Sequence, residues 1–282
     1  MRETLNIVPT IDGKAYLHTD NGYFRVYVFI DRATSHQKIT DPKQFYESAA
    51  AFGKFQNHLS DFDASLLSET IPNFHNTVKR FEAFKNSLKA DEAGRAASVR
   101  KEIDFALSRE KYCRQIVDLL KSKKMPLRVT HNDTKLNNVM LDDETGKGIA
   151  VIDLDTVMPG SYCYDFGDSI RFGCNSAAED EPDLTKVSFR LDLFETYVRG
   201  YLGALKNITQ IERDNLAFTA MLMTYEHVLR FLTDYLDGDI YFRTRRANHN
   251  LDRTRNQIKL VGEMERNLPD MQKIVRVVWN GD

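Results

Sequence analysis

A polar segment enclosed by apolar residues near the middle of the chain constrains the fold more than any other feature. From Val129 to Leu141 it reads VTHNDTKLNNVML. Polar side chains held near apolar surroundings cost free energy unless they are paired. The segment leaves no room for a helix with a polar and an apolar face, so it predicts a strand, a loop and a second strand. The loop is either a satisfied hydrogen-bond network or a site for a ligand.

The second of these strands opens a predicted β-hairpin, in which NVMLD and GIAVID flank the turn-rich connector DDETGKG. Pairing Val139 with Ile152 places Asn138 opposite Asp153. Asp133 lies just before the first strand, so we expect two carboxylates and one amide to meet at one end of the hairpin. Mg²⁺ prefers such oxygen ligands and completes its shell with water and substrate phosphates. The hairpin therefore predicts a site for Mg²⁺.

Most of the remaining chain has apolar residues at helical spacing. Capping boxes begin two of the predicted helices, one at Asp41 with Gln44 and one at Thr209 with Glu212. The other predicted helices cover Ser98 to Lys123, run from Thr185, and lie within Leu251 to Asn267 before Pro269. The fold class is therefore predicted to be α+β, with a large helical domain around the central β insertion.

A second hairpin is predicted near the N-terminus, where KAYLHT and YFRVYVFI flank Asp20-Asn21-Gly22. Asn-Gly is the residue pair that a tight type I′ turn prefers, and closing the turn there sets Leu17 opposite Val26. Because an isolated hairpin is marginally stable in water, we expect this one to pack on the rest of the chain or on a partner.

Composition narrows the partners and the location. The 282 residues carry a formal net charge of −2, so nucleic acid and anionic membranes are not expected partners. No apolar run approaches the ~20 residues that span a bilayer, and the N-terminal residues lack the apolar segment of a secretory signal. Three cysteines, Cys113, Cys163 and Cys174, have no metal-ligand spacing and are expected to be reduced thiols. These features predict a cytoplasmic protein.

The polar segment also resembles a known catalytic core. His131-x-Asp133-x4-Asn138, followed by Ile152-Asp153, is similar to the core of the aminoglycoside phosphotransferase-like kinases. Within that family, THNDTKLNN and VIDLDTVMPG most resemble the N-acetylhexosamine 1-kinases, which phosphorylate the anomeric hydroxyl of N-acetylglucosamine or N-acetylgalactosamine. The resemblance extends from Asn6 to the C-terminus. It implies a protein-kinase-like fold whose mostly helical C-lobe contains the catalytic β-hairpin.

The resemblance assigns roles to these residues and implies ATP and Mg²⁺ as cofactors. Asp133 is expected to accept the proton of the acceptor hydroxyl, and Asn138 and Asp153 to hold the metal on the nucleotide. His131 is expected to orient the loop. Lys135 either faces the transferred phosphoryl group or is a solvated loop lysine.

Asp165-Phe166-Gly167 spells the DFG motif of protein kinases, but it lies beyond the hairpin. Since the hairpin delivers Asp153 to Asn138, we assign the metal to Asp153. Asp165 instead matches a later aspartate of the family that braces the catalytic loop through hydrogen bonds.

The acceptor side is less constrained by the sequence. Asp155 is a second metal or sugar contact, or else makes a local turn bond. Glu226 and Arg230, one helical turn apart, form a surface ion pair or face the substrate. An acidic run at 179–183 is either a solvated loop or a binding surface for a cationic aminoglycoside. A basic, aromatic patch at 241–249 either lies on the surface or faces the substrate. The candidate acceptor-binding residues are Asp155, Asp165, Arg171, Glu226 and Arg230.

The expected acceptor is a neutral N-acetylhexosamine. A choline-type acceptor needs an aromatic cage, and the only tryptophan, Trp279, lies near the C-terminus. An aminoglycoside needs several acidic groups, whereas the region after the hairpin also offers arginines such as Arg230 and Arg243.

The N-terminal part departs from the family. No glycine-rich loop precedes residue 31, and Lys14 does not follow an apolar strand. We therefore expect residues 1–31 to be the remnant of a truncated β N-lobe that retains an adenine-facing hinge at Phe29, Ile30 and Asp31. Residues 32–282 are expected to form the C-lobe, and nucleotide binding by this chain alone is expected to be weak.

These departures leave more than one class of function open. The first is a sugar kinase, and a kinase for another small alcohol (an aminoglycoside, choline or homoserine) is its close alternative. The second is a non-catalytic binding protein that forms a homodimer through the exposed N-terminal hairpin. Because a pure binding protein does not need Asp133, Asn138 and Asp153 together, the sequence favours the kinase.

Overall fold

Eight α-helices, seven short strands and five short 3₁₀ helices make up the regular structure of residues 2–281, the part of the chain that the computed structural model describes. This composition confirms the α+β class. The strands are β1 (Leu17–Thr19), β2 (Gly22–Phe24), β3 (Ala33–Thr34), β4 (Arg128–Thr130), β5 (Val139–Asp142), β6 (Gly148–Val151) and β7 (Met158–Gly160). The helices are α1 (Pro42–His58), α2 (Thr77–Ala90), α3 (Arg100–Leu107), α4 (Arg114–Lys121), α5 (Tyr162–Gly173), α6 (Leu191–Ala204), α7 (Gln210–Leu236) and α8 (His249–Asn280).

Helix α7 is the centre of the hydrophobic core and is buried on almost every face. Helices α2, α5 and α8 pack around it, while α6 packs against α1 and α8. The contact between α5 and α7 needs a glycine, because a Cβ at Gly167 would lie 2.7 Å from the carbonyl oxygen of Thr219. The Asp-Phe-Gly sequence is thus part of a buried helix here, and Phe166 lies in the core.

Both predicted capping boxes are confirmed. The side chains of Asp41 and Thr209 accept hydrogen bonds from the first turns of α1 and α7, and Gln44 and Glu212 bond back to the cap residues. Each box satisfies amide groups that a helix start would otherwise leave unpaired.

The predicted helix over Ser98 to Lys123 is wrong, since two helices, α3 and α4, occupy this range. Side chains from other helices take up backbone carbonyl groups in this range. The hydroxyl of Tyr225 donates to the carbonyl oxygen of Ala106, and that of Thr77 donates to the carbonyl oxygen of Cys113. Helix α2, which contains Thr77, was not predicted.

Two other helix limits also differ from the prediction. The helix expected from Thr185 begins at Leu191, because Phe189 forms an antiparallel bridge with Asn175. Helix α8 does not stop before Pro269 but continues through it to Asn280. Pro269 is exposed, whereas Met271 beyond it is fully buried. Burial of the following turns outweighs the loss of one helical hydrogen bond at the proline.

The N-terminal hairpin forms, but its register differs from the prediction. Leu17 pairs with Phe24 instead of Val26, and Thr19 pairs with Gly22. The turn therefore consists of Asp20 and Asn21, and Gly22 takes a φ of +118°. Among the described residues before Arg32, only Ile30 is buried.

The central hairpin also forms with a shifted register. Val139 pairs with Val151 instead of Ile152, and a bulge after Met140 sets Leu141 opposite Gly148. A Cβ at Gly148 would lie 2.6 Å from the carbonyl oxygen of Glu47, so close packing on α1 fixes this position. Such a contact between distant segments cannot be read from the pattern of either strand.

The three cysteines are buried and unpaired, in agreement with the predicted free thiols. Within residues 2–281, no helix has the length and the apolar character that crossing a bilayer requires.

Candidate active site

The loop that begins at His131 is held by the carboxylate of Asp165 in the first turn of α5. Asp165 accepts hydrogen bonds from the backbone N–H groups of His131 (2.9 Å) and Asn132 (2.8 Å), and from Nε2 of Gln56 (2.8 Å). These are the bracing bonds that the sequence predicts. Asp165 is fully buried and its oxygens are occupied within the protein, which disfavours a direct contact with the acceptor.

Thr134 is fixed to the same face of α5 through three of its polar atoms. Its N–H donates to Oδ2 of Asp168 (3.2 Å), and its carbonyl oxygen accepts from the hydroxyl of Ser169 (2.7 Å). Its hydroxyl donates to the carbonyl oxygen of Asp165 (2.5 Å). Since residues three and four apart share a face of a helix, one face of α5 positions the loop on both sides of Asp133.

The predicted base, Asp133, has a partner on each carboxylate oxygen. Nδ2 of Asn138 donates to Oδ2 (3.0 Å) and also to the carbonyl oxygen of Asp133 (2.8 Å). Nζ of Lys135 lies 2.6 Å from Oδ1. The Asp133 side chain keeps 28% of its surface exposed, so an acceptor hydroxyl has access to it. Lys135 contacts the base, which disfavours a purely solvated lysine.

The predicted metal ligands have oxygens left for a cation. The Asn138 amide bonds to Asp133 through its nitrogen only. Its Oδ1 accepts no hydrogen bond from any residue between 2 and 281. Ile152 donates its N–H to the carbonyl oxygen of Asn138 (2.9 Å), so Asp153 lies one residue beyond the predicted position opposite Asn138. The Asp153 carboxylate is exposed and has no ion pair or hydrogen bond within the described chain.

This donor set fits Mg²⁺, which takes one or two carboxylates and fills the rest of its shell with water and phosphate oxygens. The described residues include no cluster of three or more His, Cys, Asp or Glu side chains that could hold a metal ion by themselves. A cation at Asn138 and Asp153 thus depends on the nucleotide for part of its shell. The metal assignment stays a prediction.

His131 connects the catalytic loop with the end of the hairpin. Its ring is buried, with Nε2 2.9 Å from the carbonyl oxygen of Ile152 and Nδ1 3.3 Å from the N–H of Asp133. The edge of Phe52 packs against it. A ring with both nitrogens in use and no exposed surface orients the loop and has no access to a substrate proton.

Most of the predicted acceptor residues have partners inside the protein. Asp155 is exposed and forms an ion pair with Arg25 (2.7 Å), which replaces the predicted turn bond. Arg171 is buried between Asp168 and Glu179. Burial alone would raise the pKa of Asp168, but Arg171, together with Lys135 and His75, holds it below its usual value.

Glu226 and Arg230 do not form the expected surface ion pair. Glu226 is completely buried, and its Oε1 lies 3.0 Å from Nδ1 of His75. Arg230 lies between the rings of Phe74 and Phe242, at 5.3 and 5.4 Å from their centroids. It lines a cavity of about 230 Å³ and has no carboxylate partner among the described residues.

The acidic run and the basic patch bind each other. Asp180 lies 2.8 Å from Nε2 of His249 and 3.2 Å from Arg246, while Glu179 pairs with Arg171. The acidic run is therefore neither a free solvated loop nor an open surface for a cationic antibiotic.

His75 was not among the predicted site residues, but it lies next to the catalytic loop. It borders a cavity of about 250 Å³ that also contacts Asn132 in the catalytic loop and Tyr164 in α5. The only local signal at this place is a helix cap, since Asn76 accepts a hydrogen bond from Lys79 at the start of α2.

The proposed hinge residues lie directly before β3, whose Thr34 pairs with Leu141 of the catalytic hairpin. Phe29 is 84% exposed, Asp31 is exposed and Ile30 is buried. Their contact with a nucleotide stays a prediction.

Comparison with known proteins supports the fold. Residues 7–202 match the sequence model of the phosphotransferase enzyme family, abbreviated APH. A choline kinase from Cryptosporidium parvum aligns over 97% of this chain and 76% of its own, with 14% identity and a TM-score of 0.58.

Two further kinases have the same fold. An amicoumacin kinase in complex with AMP-PNP and Ca²⁺ aligns over 95% of this chain and 72% of its own, with 12% identity and a TM-score of 0.56. A microcompartment-associated aminopropanol kinase aligns over 95% and 77%, with 16% identity and a TM-score of 0.53. At these identities the likeness concerns the fold alone, and it confirms the predicted protein-kinase-like architecture.

Proposed function

The chain belongs to the phosphotransferase enzyme family, and we propose that it transfers the γ-phosphoryl group of ATP to the anomeric hydroxyl of an N-acetylhexosamine. The observation that carries this proposal is the arrangement of Asp133, Asn138 and Asp153. A partly exposed carboxylate is held by the amide nitrogen of Asn138, while the amide oxygen of Asn138 and the Asp153 carboxylate have no partner among residues 2–281.

The chain's own residues can position each reacting group. The acceptor oxygen attacks the γ-phosphorus as the bond to the β-phosphate oxygen breaks, and Asp133 accepts the hydroxyl proton. Asn138 keeps the Asp133 carboxylate in one orientation, and Lys135 places a positive charge beside it. Asn138 and Asp153 would hold Mg²⁺, which would supply positive charge next to the phosphates.

A neutral sugar fits the acceptor side better than a cation does. The cavity beside the catalytic loop contains the amides Asn73, Asn76 and Asn132 but only one carboxylate, Glu69. Oδ1 of Asn132 and Nδ2 of Asn73 have no hydrogen-bond partner among the described residues and can pair with hydroxyl groups. An aminoglycoside would need free acidic groups, and those of the 179–183 run are engaged in ion pairs.

A quaternary ammonium acceptor is also disfavoured. Such a group needs open aromatic faces, yet the rings of Phe74 and Phe242 are already stacked on Arg230. Arg230 lines the second cavity, of about 230 Å³, and contacts Phe74, which lines the cavity beside the catalytic loop. We propose that the sugar lies between the catalytic loop and α7 with its acetamido oxygen directed at Arg230. We further propose that residues 1–31 belong to the nucleotide-binding lobe, with Phe29, Ile30 and Asp31 as its hinge.

A substrate screen scored by ADP release tests the function. We expect activity with N-acetylglucosamine or N-acetylgalactosamine that depends on Mg²⁺, and none with choline, aminopropanol or kanamycin-like acceptors. The 1-phosphate product should be identified by ³¹P NMR. Activity restricted to the amino alcohols or the aminoglycosides would overturn the assignment of the acceptor. Nucleotide binding without turnover of any acceptor would favour a non-catalytic binding protein.

A further inference from the structure

The buried pair of His75 and Glu226 has unused hydrogen-bonding capacity at both ends. Their side chains are 5% and 0% exposed, and Nδ1 of His75 lies 3.0 Å from Oε1 of Glu226. The two remaining atoms, Nε2 of His75 and Oε2 of Glu226, are buried and have no hydrogen-bond partner among the described residues. Unpaired buried polar atoms are uncommon, because each has lost its hydrogen bonds to water without gaining a partner. A partner from outside the chain would remove this cost.

The pair lies beside the catalytic loop. The His75 ring packs between Phe74 and Tyr164, with centroid distances of 4.5 and 5.3 Å. It borders the cavity of about 250 Å³ that is also lined by Asn132, the residue before Asp133. This cavity thus adjoins the loop that carries the predicted base.

The lining of the cavity combines polar and apolar side chains. Three of its six polar side chains are amides, and Val117, Leu120 and Leu127 contribute to its apolar wall. Sugar rings present hydroxyl groups at their edges and C–H groups on their faces, so this combination complements them.

The Glu226 carboxylate decides what His75 can do. When Glu226 accepts a hydrogen bond from Nδ1 of a neutral His75 ring, the ring proton lies on Nδ1. Nε2 of that form is an acceptor, and a hydroxyl group is the matching donor. Resting on the function proposed above, we propose that His75, oriented by Glu226, accepts a hydrogen bond from a non-reacting hydroxyl of the acceptor sugar. His75 is then a specificity-determining residue, and Glu226 acts through it.

Two substitutions separate the ring nitrogens of His75. In His75→Asn the amide can replace Nδ1 in the bond to Glu226, but it has no atom near the position of Nε2. In His75→Gln the longer side chain places a polar group near the position of Nε2. We expect His75→Asn to raise the KM for N-acetylglucosamine about tenfold, which corresponds to ~1.4 kcal/mol. We expect His75→Gln to raise it less than about threefold, and neither variant to change the KM for ATP.

Deoxy analogues of the sugar identify the bonded hydroxyl. One deoxy analogue lacks the hydroxyl that donates to His75. With this analogue, wild type and His75→Asn should have the same KM, because the hydrogen bond cannot form in either protein. For the other analogues the tenfold difference should persist. Equal KM values for the natural sugar in wild type and both variants would overturn the proposal. A persistent difference with every analogue would also overturn it, since His75 would then act through structure alone.

The failure of the proposed function has a different signature. If wild type phosphorylates no N-acetylhexosamine, the function is wrong, and the same pair of variants is then measured with whichever hydroxyl acceptor passes the screen. If the variants do not fold, the ¹⁵N chemical shift of Nε2 of His75 is followed in the wild-type protein. Saturation with N-acetylglucosamine should move this signal, and an unmoved signal would overturn the proposal.

Discussion

Nδ2 of Asn138 lies 3.0 Å from Oδ2 of Asp133, so one amide fixes the predicted base while its own oxygen is left for another partner. The two residues are five positions apart in a single loop. A short 3₁₀ turn, Leu136–Asn138, brings them together. The predicted base and one predicted metal ligand are therefore positioned by the same turn, and we expect a change in one to affect the other.

The role of Asp133 is tested by Asp133→Asn. The amide retains the size of the carboxylate but cannot accept the hydroxyl proton, so turnover should fall about 10²- to 10⁴-fold. The midpoint of thermal unfolding should change little, because Asp133 is partly exposed. Asp192→Asn, at an exposed carboxylate paired with Arg190, is the matched control and should keep full activity. Retention of more than about a tenth of the activity would contradict the assignment.

Alanine substitutions of Asp153 and Asp165 should have opposite effects on nucleotide binding and on stability. Asp153→Ala should abolish Mg²⁺-dependent nucleotide binding, measured by calorimetry, and leave the free energy of unfolding nearly unchanged, because Asp153 is exposed. Asp165→Ala leaves the N–H groups of His131 and Asn132 unpaired in a buried place. Each lost partner costs about 1–3 kcal/mol, so this variant should mainly lose stability. The reverse pattern would place the metal at Asp165.

Features that depend on neighbouring residues were predictable from the sequence. The capping boxes at Asp41 and Thr209 use partners three residues away, and both form as expected. The hairpins were predictable for the same reason, since each turn joins adjacent strands. Their registers were not, because in the central hairpin the contact of Gly148 with α1 shifts the pairing.

The site was predictable only where a motif brings its members together. Asp133 and Asn138 belong to one motif, and the resemblance to a kinase family supplied the bracing role of Asp165. The pairing of His75 with Glu226 spans 151 residues and follows no local pattern. Glu226 was expected on the surface of its helix, because a helix with one apolar stripe is expected to bury only that face. In the structure, α2, α5 and α8 together cover nearly all of α7.

Arg230 is expected to contribute to acceptor binding. Arg230→Ala removes a guanidinium group that has aromatic neighbours but no carboxylate partner within residues 2–281. The KM for the sugar should rise about tenfold or more, while the KM for ATP stays within about twofold. Arg199→Ala, at an exposed arginine paired with Glu195 on α6, serves as control and should change neither constant. Equal effects of Arg230→Ala on both KM values would remove Arg230 from the acceptor site.

The stability of the protein should depend on pH through His227. Burial lowers the pKa of His227 well below the ordinary value of 6.5, and the nearby charges of Arg171 and Arg230 lower it further. The folded protein therefore keeps this ring neutral at a pH where the unfolded chain binds a proton. The free energy of unfolding should fall as the pH drops below about 6.5, with a slope of at most ~1.4 kcal/mol per pH unit from this one group.

His227→Asn separates this contribution from those of the other histidines. Asparagine does not titrate, and its amide can still donate to the carbonyl oxygen of Met223, which lies 2.9 Å from Nδ1 of His227. Denaturant unfolding at about pH 7.5 and about pH 5.5 should give a smaller difference in free energy for this variant than for wild type. His58→Asn, at an exposed histidine, should keep the wild-type difference. If His227→Asn also kept it, the buried ring would not be the group that the acid titrates.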